Sequence, residues 1–366
     1  MFTIAAEDVL PGHPDRLCDA VAEMLVNVGL AFDEDALVGV EVALHRRFLA
    51  ITGRIAAGLI DDDELSDPGP LRLGVESIFE SAGYTGRWAH PVEVVTDLDI
   101  GPLADDERSI RPFSDDQGIA VGFADPARPG SIPIEAMTAR RLREALSAAR
   151  WMHADHLGPD GKVLVTIEPG ARPRLEAVNI AIQHAPDIGF ADLHRMVVPH
   201  LEGALASLEP HLDVPSLDGA TLRLNGIGDF TCGGPHGDNG LSGKKLVVDH
   251  YGPQVPIGGG AICGKDPHKP DRVGPLRARQ LAVRLGQATD QAATVHLGWL
   301  PGLEEPDRLA ARLADGTQLD RRQIERLISV PDLSLAGSAT ALELCSTDWL
   351  STMRSGYFGL ERAWER

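Results

Sequence analysis

The sequence predicts an α+β fold of several small layers rather than one parallel, doubly wound sheet. Two observations predict it. Helical stripes and short strands follow one another only loosely, and hairpins occur among the strands. The chain also has 366 residues of ordinary globular composition, 43% hydrophobic and 24% charged. That length supports two or three domains.

The elements follow in order. Residues 15–30 place Leu17, Val21, Met24, Leu25 and Val28 on one helical face. Pro14 suits the first turn of that helix, and Asp15 falls at the positive end of its dipole. Residues 36–44 then alternate, with Val38, Val40, Val42 and Leu44 on one face and Glu41 on the other. Residues 48–55 form the second strand of that hairpin. A helix over 71–82 and a strand over 92–96 come next. Residues 97–116 read as a long acidic loop, a kind that is usually functional or mobile. A helix over 138–153 is followed by strands over 163–168 and 175–183 and a helix over 193–207. The last third carries a glycine-rich block (226–264), a strand over 246–251, a helix over 273–287 and a strand over 294–299. Helices over 306–314 and 319–329 close the pattern. No short-period repeat or low-complexity tract interrupts it.

Charge narrows the choice of partners. Lys and Arg number 34 and Asp and Glu 54, a net charge of −20. This argues against nucleic acid or an anionic membrane surface as the main partner. No apolar run approaches the roughly 20 residues that span a bilayer, and the N-terminus does not read as a signal peptide. Cys18, Cys232, Cys263 and Cys345 are far apart without a C-x-x-C spacing. A cytoplasmic, thiol-reduced protein is the expectation. The lysines are more telling: Lys162, Lys244, Lys245, Lys265 and Lys269 are the only five, and four fall within 26 residues.

Those four lie in residues 226–272, among clustered glycines. Glycine lets backbone N–H groups approach anionic oxygens, and lysine supplies mobile point charges for phosphate. A polyphosphate site is indicated, against the plainer reading of surface turns with a solvated charge run. GGAICGK at 259–265 matches G-x-x-x-x-G-K. However, Asp266 replaces the hydroxyl residue of a P-loop, and Pro267 and Pro270 oppose the helix that should follow. The segment Gly12-His13-Pro14-Asp15-Arg16 offers a His and a carboxylate at a helix start. By residue type alone it reads more readily as a helix cap with a charged first turn. Asp115-Asp116-Gln117-Gly118 by itself reads as a turn. His153 and His156 read as structural, Trp299, Trp349 and Trp364 as core or interface residues, and His236 has no specific role.

Together these segments resemble the S-adenosylmethionine synthetase (methionine adenosyltransferase) family. PGHPDRLCDAVA, DDQGIAVGFA, GGPHGDNGLSGKKLVVDHYG, GGGAICGKDPHKPDR and the closing GYFGLERAWER resemble its motifs in family order. The resemblance implies three similar α/β-layer domains around a pseudo-threefold axis, over residues 1–98, 112–228 and 229–366, with the structural domains interleaved. It implies a homodimer or homotetramer with active sites at the interface, using Mg²⁺ and K⁺. The implied reaction joins ATP to methionine or an analogue. Methionine sulfur attacks C5′, triphosphate leaves, and the triphosphate is then hydrolysed to pyrophosphate and phosphate.

The resemblance also implies roles. His13, Lys162, Lys245 and Lys265 are catalytic, and Lys244, Ala261 and Lys269 join them around the triphosphate. Phe230 stacks on adenine, Asp116 borders the nucleoside, and Asp238 contacts the ribose or the amino acid. Asp15 and Asp271 bind Mg²⁺, and Glu41 matches the K⁺-site carboxylate. The co-substrate half departs from the family. Arg54 stands where the family has the Glu that holds methionine's ammonium, Gly101 where it has a methionine-contacting Gln, and Asp229 where it has an Arg. Either Arg54 pairs with Glu76, Asp229 or another acid, or the co-substrate carries an extra carboxylate. A triphosphatase and a non-catalytic ATP-binding subunit are the remaining alternatives.

Overall fold

The chain passes three times through one order of elements, a long helix, a hairpin and a second helix. The computed structural model describes residues 2–58, 68–219 and 221–366. Strand β1 (Ile4–Val9) leads into the first pass, α1 (Pro14–Phe32), β2 (Leu37–His45), β3 (Phe48–Ala56) and α2 (Pro68–Ala82). Strand β4 (Glu93–Gly101), helix α3 (Asp105–Ile110) and strand β5 (Gly118–Ala124) precede the second. That pass is α4 (Ile134–Met152), β6 (Leu157–Glu168), β7 (Arg174–His184) and α5 (Phe190–Ala206). Strands β8 (Leu222–Leu224) and β9 (Gly240–Leu241) and helix α6 (Leu246–Asp249) precede the third. It comprises α7 (Pro270–Thr289), β10 (Ala293–Trp299), β11 (Arg308–Leu313), β12 (Gln318–Asp320) and α8 (Arg321–Leu327). Helices α9 (Leu335–Ala341) and α10 (Trp349–Ser355) follow.

Among the described residues the strands form three four-stranded sheets, β1-β6-β7-β8, β5-β10-β11-β12 and β9-β2-β3-β4. Each hairpin takes an antiparallel edge strand from ahead of another pass. β1 precedes α1 but pairs with β6, β5 precedes α4 but pairs with β10, and β9 precedes α7 but pairs with β2. Two sheets finish with a parallel edge, β8 on β7 and β4 on β3, whereas β12 pairs antiparallel to β11. This exchange is cyclic and interleaves the passes.

One face of each hairpin packs on a long helix, which explains the alternation. Val38, Val40, Val42 and Leu44 are buried while Glu41 is exposed. Val163, Val165 and Ile167 of β6 and Val295, Leu297 and Trp299 of β10 do the same. The opposite faces carry Lys162, Leu164, Ile119 and Leu241, all exposed, and Ile119 reaches 66% exposure. No helix among the described residues is long and apolar enough to cross a membrane.

Three expectations are corrected. Residues 246–249 are helical rather than a strand. Asp249 N–H donates to Lys245 O at 2.9 Å, and the buried Asp249 carboxylate meets Arg16 at 2.5 Å. The expected helix over 306–314 is instead strand β11, in register with β10 from Arg308 opposite Gly298 to Leu313 opposite Ala293. Tertiary pairing overrides a sequence whose spacing suits either state. The acidic loop is ordered at both ends: β4 runs to Gly101 beside β3, and α3 occupies Asp105–Ile110.

Helices α1 and α7 are joined by an ion pair with no exposure on either side. Arg272 Nη2 lies 2.5 Å from Glu23 Oε2, and Tyr357 donates to Glu23 Oε1 at 2.6 Å. The Arg272 guanidinium stacks over Trp349 at 4.0 Å. Removing one member strands the other charge in a medium that cannot solvate it. Glu23→Gln is therefore expected to cost about 3–5 kcal/mol, read from the urea midpoint, and a joint Glu23→Leu, Arg272→Met replacement is expected to cost less.

Candidate active site

The site begins at two helix starts built alike. His13-Pro14-Asp15-Arg16 opens α1, and Lys269-Pro270-Asp271-Arg272 opens α7. Proline fits the first helical position, where its missing N–H costs nothing, and an aspartate beside it meets the positive dipole end. The caps differ. His13 Nδ1 accepts the Asp15 N–H at 3.2 Å, so its proton sits on Nε2. That Nε2 is buried and has no partner among the described residues. Burial, with Lys162 beside it, lowers the His13 pKa to about 3, so the ring is neutral at pH 7.

Lysines crowd Asp15. Lys245 Nζ lies 3.0 Å from Oδ2, Lys244 Nζ 3.6 Å from Oδ1, and the Leu241 N–H donates to Oδ1 at 3.1 Å. Burial opposes the charge on Asp15, but Lys245 outweighs it and holds the carboxyl below its usual range. Lys162 and Asp238 face each other at 3.9 Å, both about half exposed. Phe230 stands nearby through its N–H, which donates to His184 Nε2 at 3.1 Å.

A second group surrounds Asp271. Lys265 Nζ lies 2.5 Å from its Oδ2, and Gly260 lies directly beneath. A Cβ on Gly260 would come within 2.1 Å of every carboxyl atom of Asp271, so a side chain there would displace that carboxylate. Glu41, Asp116, Ala261, Lys265 and Asp271 line one cleft of about 780 Å³. Ser242 Oγ donates to Glu41 Oε2 at 2.7 Å there. Lys269 turns to Asp115. Arg111 reaches the fully buried Asp266 at 2.8 Å and ties α3 to this block.

Two groups result, His13, Asp15, Lys162, Asp238 and Lys245 in one and the residues around Asp271 in the other, and none of the first lines the cleft that holds Glu41, Lys265 and Asp271. The glycine-rich segment at 240–246 runs between them: Leu241 N–H meets Asp15, while Ser242, Gly243 and Leu246 line the cleft.

Arg54 meets another acid, neither Glu76 nor Asp229. Its Nε and Nη2 donate to both oxygens of Glu107 at 3.0 and 2.9 Å, Nη1 to Asp99 at 3.2 Å and Nη2 to Pro102 O at 3.1 Å. Glu76 pairs with Arg72 instead, and Asp229 lies 4.0 Å from His184. The Arg54 hydrogen bond lowers the Glu107 pKa. Gly101 ends β4 opposite Ala56 rather than lying in a free loop. The guanidinium is thus paired with the acidic segment in this structure. His236 stacks edge-on against His90, ring centres 4.6 Å apart.

Sequence reasoning missed Asp160, two residues before Lys162. Its Oδ2 accepts the Gly234 N–H at 2.8 Å, and its Oδ1 is buried with no partner among the described residues. Burial raises its pKa to about 6 in spite of that bond. A buried acid tuned this way beside a lysine is typical of functional sites. The repeated Pro-Asp-Arg at the two helix starts was the available signal for the whole arrangement, and it lies open in the sequence.

Residues 1–67 match the S-adenosylmethionine synthetase N-terminal domain, 113–226 its central domain and 232–366 its C-terminal domain. An S-adenosylmethionine synthase of Methylobacterium nodulans is 31% identical, over 98% of this chain and 93% of its own length. One from Nocardia farcinica is also 31% identical, over 100% and 95%. The structure of an unusual S-adenosylmethionine synthetase from Campylobacter jejuni superposes with a TM-score of 0.87 at 23% identity, covering 100% of this chain and 97% of that one. The chain belongs to the S-adenosylmethionine synthetase family.

Asp160 gives a signed pH test. Its folded-state pKa of about 6 lies above the ordinary 3.8. The stabilisation from its proton is full below pH 3.8 and is lost as pH rises through 6. Asp160→Asn, uncharged throughout, is expected to gain stability over the parent protein between pH 4.5 and 7.5, measured by urea denaturation at both values. An unchanged gap would show that Asp160 is not buried as a charge.

Proposed function

We propose that this protein is a cytoplasmic methionine adenosyltransferase acting on ATP as a dimer or tetramer. One observation carries the reading: a neutral His13 with a free, buried Nε2–H stands among Asp15, Lys162 and Lys245. Displacing triphosphate needs preorganised positive charge and a donor at the leaving oxygen more than a covalent nucleophile.

In this reading Lys244, Lys245 and Lys265 hold the carboxylates of Asp15 and Asp271 until substrate arrives, and then turn to the triphosphate. Lys162 and Lys269 exchange Asp238 and Asp115 in the same way. His13 Nε2–H donates to the oxygen that leaves C5′. Methionine sulfur forms the new bond to C5′ as the C5′–O bond breaks, and that electron pair departs with triphosphate. Water then cleaves triphosphate to pyrophosphate and phosphate. Phe230 stacks on adenine, and Asp116 and Asp238 border the nucleoside and the amino acid.

The donor set fits the implied cations. Among the described residues no three His, Cys, Asp or Glu gather as a metal cage. Lone carboxylates beside phosphate-binding lysines suit Mg²⁺, which is commonly held by one or two carboxylates plus substrate phosphates. Asp15 and Asp271 would hold it, and it would supply charge neutralisation of the triphosphate. Glu41 with the Ser242 hydroxyl offers oxygen donors to K⁺. Completion of the site by a second copy is supported by the division into two groups and by the exposed apolar residues on the outer sheet faces.

The test is a product assay with ATP, Mg²⁺ and K⁺, with and without methionine. Methionine-dependent S-adenosylmethionine is expected by mass, and Asp15→Asn is expected to lower its rate by about 10²-fold or more. Phosphate release indifferent to methionine, and surviving Asp15→Asn, would sink the reading in favour of a hydrolase.

The Arg54 contacts generate a separate prediction. Both side chains of the Arg54–Glu107 pair are about one quarter exposed, so Arg54→Ala is expected to change global stability by under about 1 kcal/mol. It is nevertheless expected to speed amide exchange across residues 103–111 at least several-fold, because that segment loses its anchor on β3.

A further inference from the structure

A small cavity lies between β1, the first turn of α1, and α2, α4, α6 and α10. No residue assigned above to ATP or co-substrate lines it. Its polar wall is Arg16, Arg140, Arg143 and Arg354 with Asp8 and Asp249. The volume is about 30 Å³, two to three times the roughly 10–15 Å³ that one water needs.

The charges around it are unevenly paired. Arg16 meets Asp249 at 2.5 Å and Asp19 at 3.1 Å, and Arg143 meets Asp8 at 3.2 Å. The other two arginines have no carboxylate partner among the described residues. Arg140 donates from Nη1 to Phe358 O at 2.5 Å, and Arg354 from Nη2 to Ser81 Oγ at 2.6 Å. Arg140 is only 7% exposed. Gly356 packs against its guanidinium, where a Cβ would come within 2.8 Å of the central carbon. Four guanidiniums thus face two carboxylates. Asp19 and Glu144 (3.9 Å from Arg143) serve Arg16 and Arg143, and neither pairs with Arg140 or Arg354. Burial lowers the pKa of both Arg140 and Arg354.

A buried guanidinium without a counter-charge is costly, and its planar N–H groups match the oxygens of an oxyanion. We propose that this cavity is a binding site for one small tetrahedral oxyanion of the phosphate class, held chiefly by Arg140 and Arg354. The anion supplies the counter-charge those two arginines lack and ties β1 and α4 to the C-terminal helix α10. The site is distinct from the triphosphate lysines and does not depend on the adenosyl-transfer reading.

Inorganic phosphate is the probe. The full chain carrying Lys245→Ala and Lys265→Ala, which weakens phosphate binding at the candidate active site, is titrated by calorimetry and by thermal melting. Sodium chloride at matched ionic strength is the control. A saturable, one-site phosphate isotherm with a rise in Tm beyond the chloride control is expected. Adding Arg354→Gln or Arg140→Met is expected to weaken that binding at least tenfold. Arg354 is the more exposed of the two, so Arg354→Gln decides the matter if Arg140→Met does not fold. No saturable phosphate binding in this background, a chloride effect of equal size, or binding unaffected by Arg354→Gln would each overturn the proposal.

Discussion

The Glu23–Arg272 pair is the constraint on which the site depends. It sits without solvent exposure between the two helices whose first turns carry Asp15 and Asp271. Two charges in a low-dielectric interior tolerate little displacement, because each angstrom of separation leaves both less compensated. Tyr357 adds a hydrogen bond to Glu23, and the Trp349 face covers Arg272. The C-terminal segment therefore clamps the same pair. The helix starts are fixed relative to each other by groups that never touch a substrate.

In the proposed reading the protein uses its own charges around those starts as temporary ligands. Each candidate phosphate-binding lysine already has a carboxylate neighbour, Asp15, Asp115, Asp238 or Asp271. In that reading a chain of net charge −20 can still hold a polyanion. The positive charges are local, and nearby acids quench them in the empty state. Global charge bears on nucleic acid and membranes, and the five lysines bear on the site.

Much of this was legible in the sequence because it is local. The stripe of α1, the first hairpin and the helices α4 and α7 emerge from periodicity alone. The lysine cluster marked the site before any family likeness entered. What stayed hidden is non-local. Residues 308–313 suit a helix by spacing, but an inner position between β10 and β12 makes them a strand with buried alternate residues. The segment at 97–116 read as a free loop because its acids find Arg54 and its Arg111 finds Asp266, partners 45 to 155 residues away. Asp160 went unread, since nothing in Gly-Pro-Asp-Gly announces that the carboxyl is buried against Gly234.

The cyclic exchange of edge strands has a consequence for how the chain acquires its structure during synthesis. The first hairpin has no antiparallel neighbour until residues 240–241 exist, and the third sheet lacks its last strand until residues 318–320. Only the sheet around β6 has all its strands within the first 224 residues. A ribosome-bound nascent chain therefore carries an open sheet edge for much of its emergence, and closing the ring waits on contacts of long sequence separation. Such topology slows assembly, and only the sheet around β6 can be completed before the last third of the chain exists.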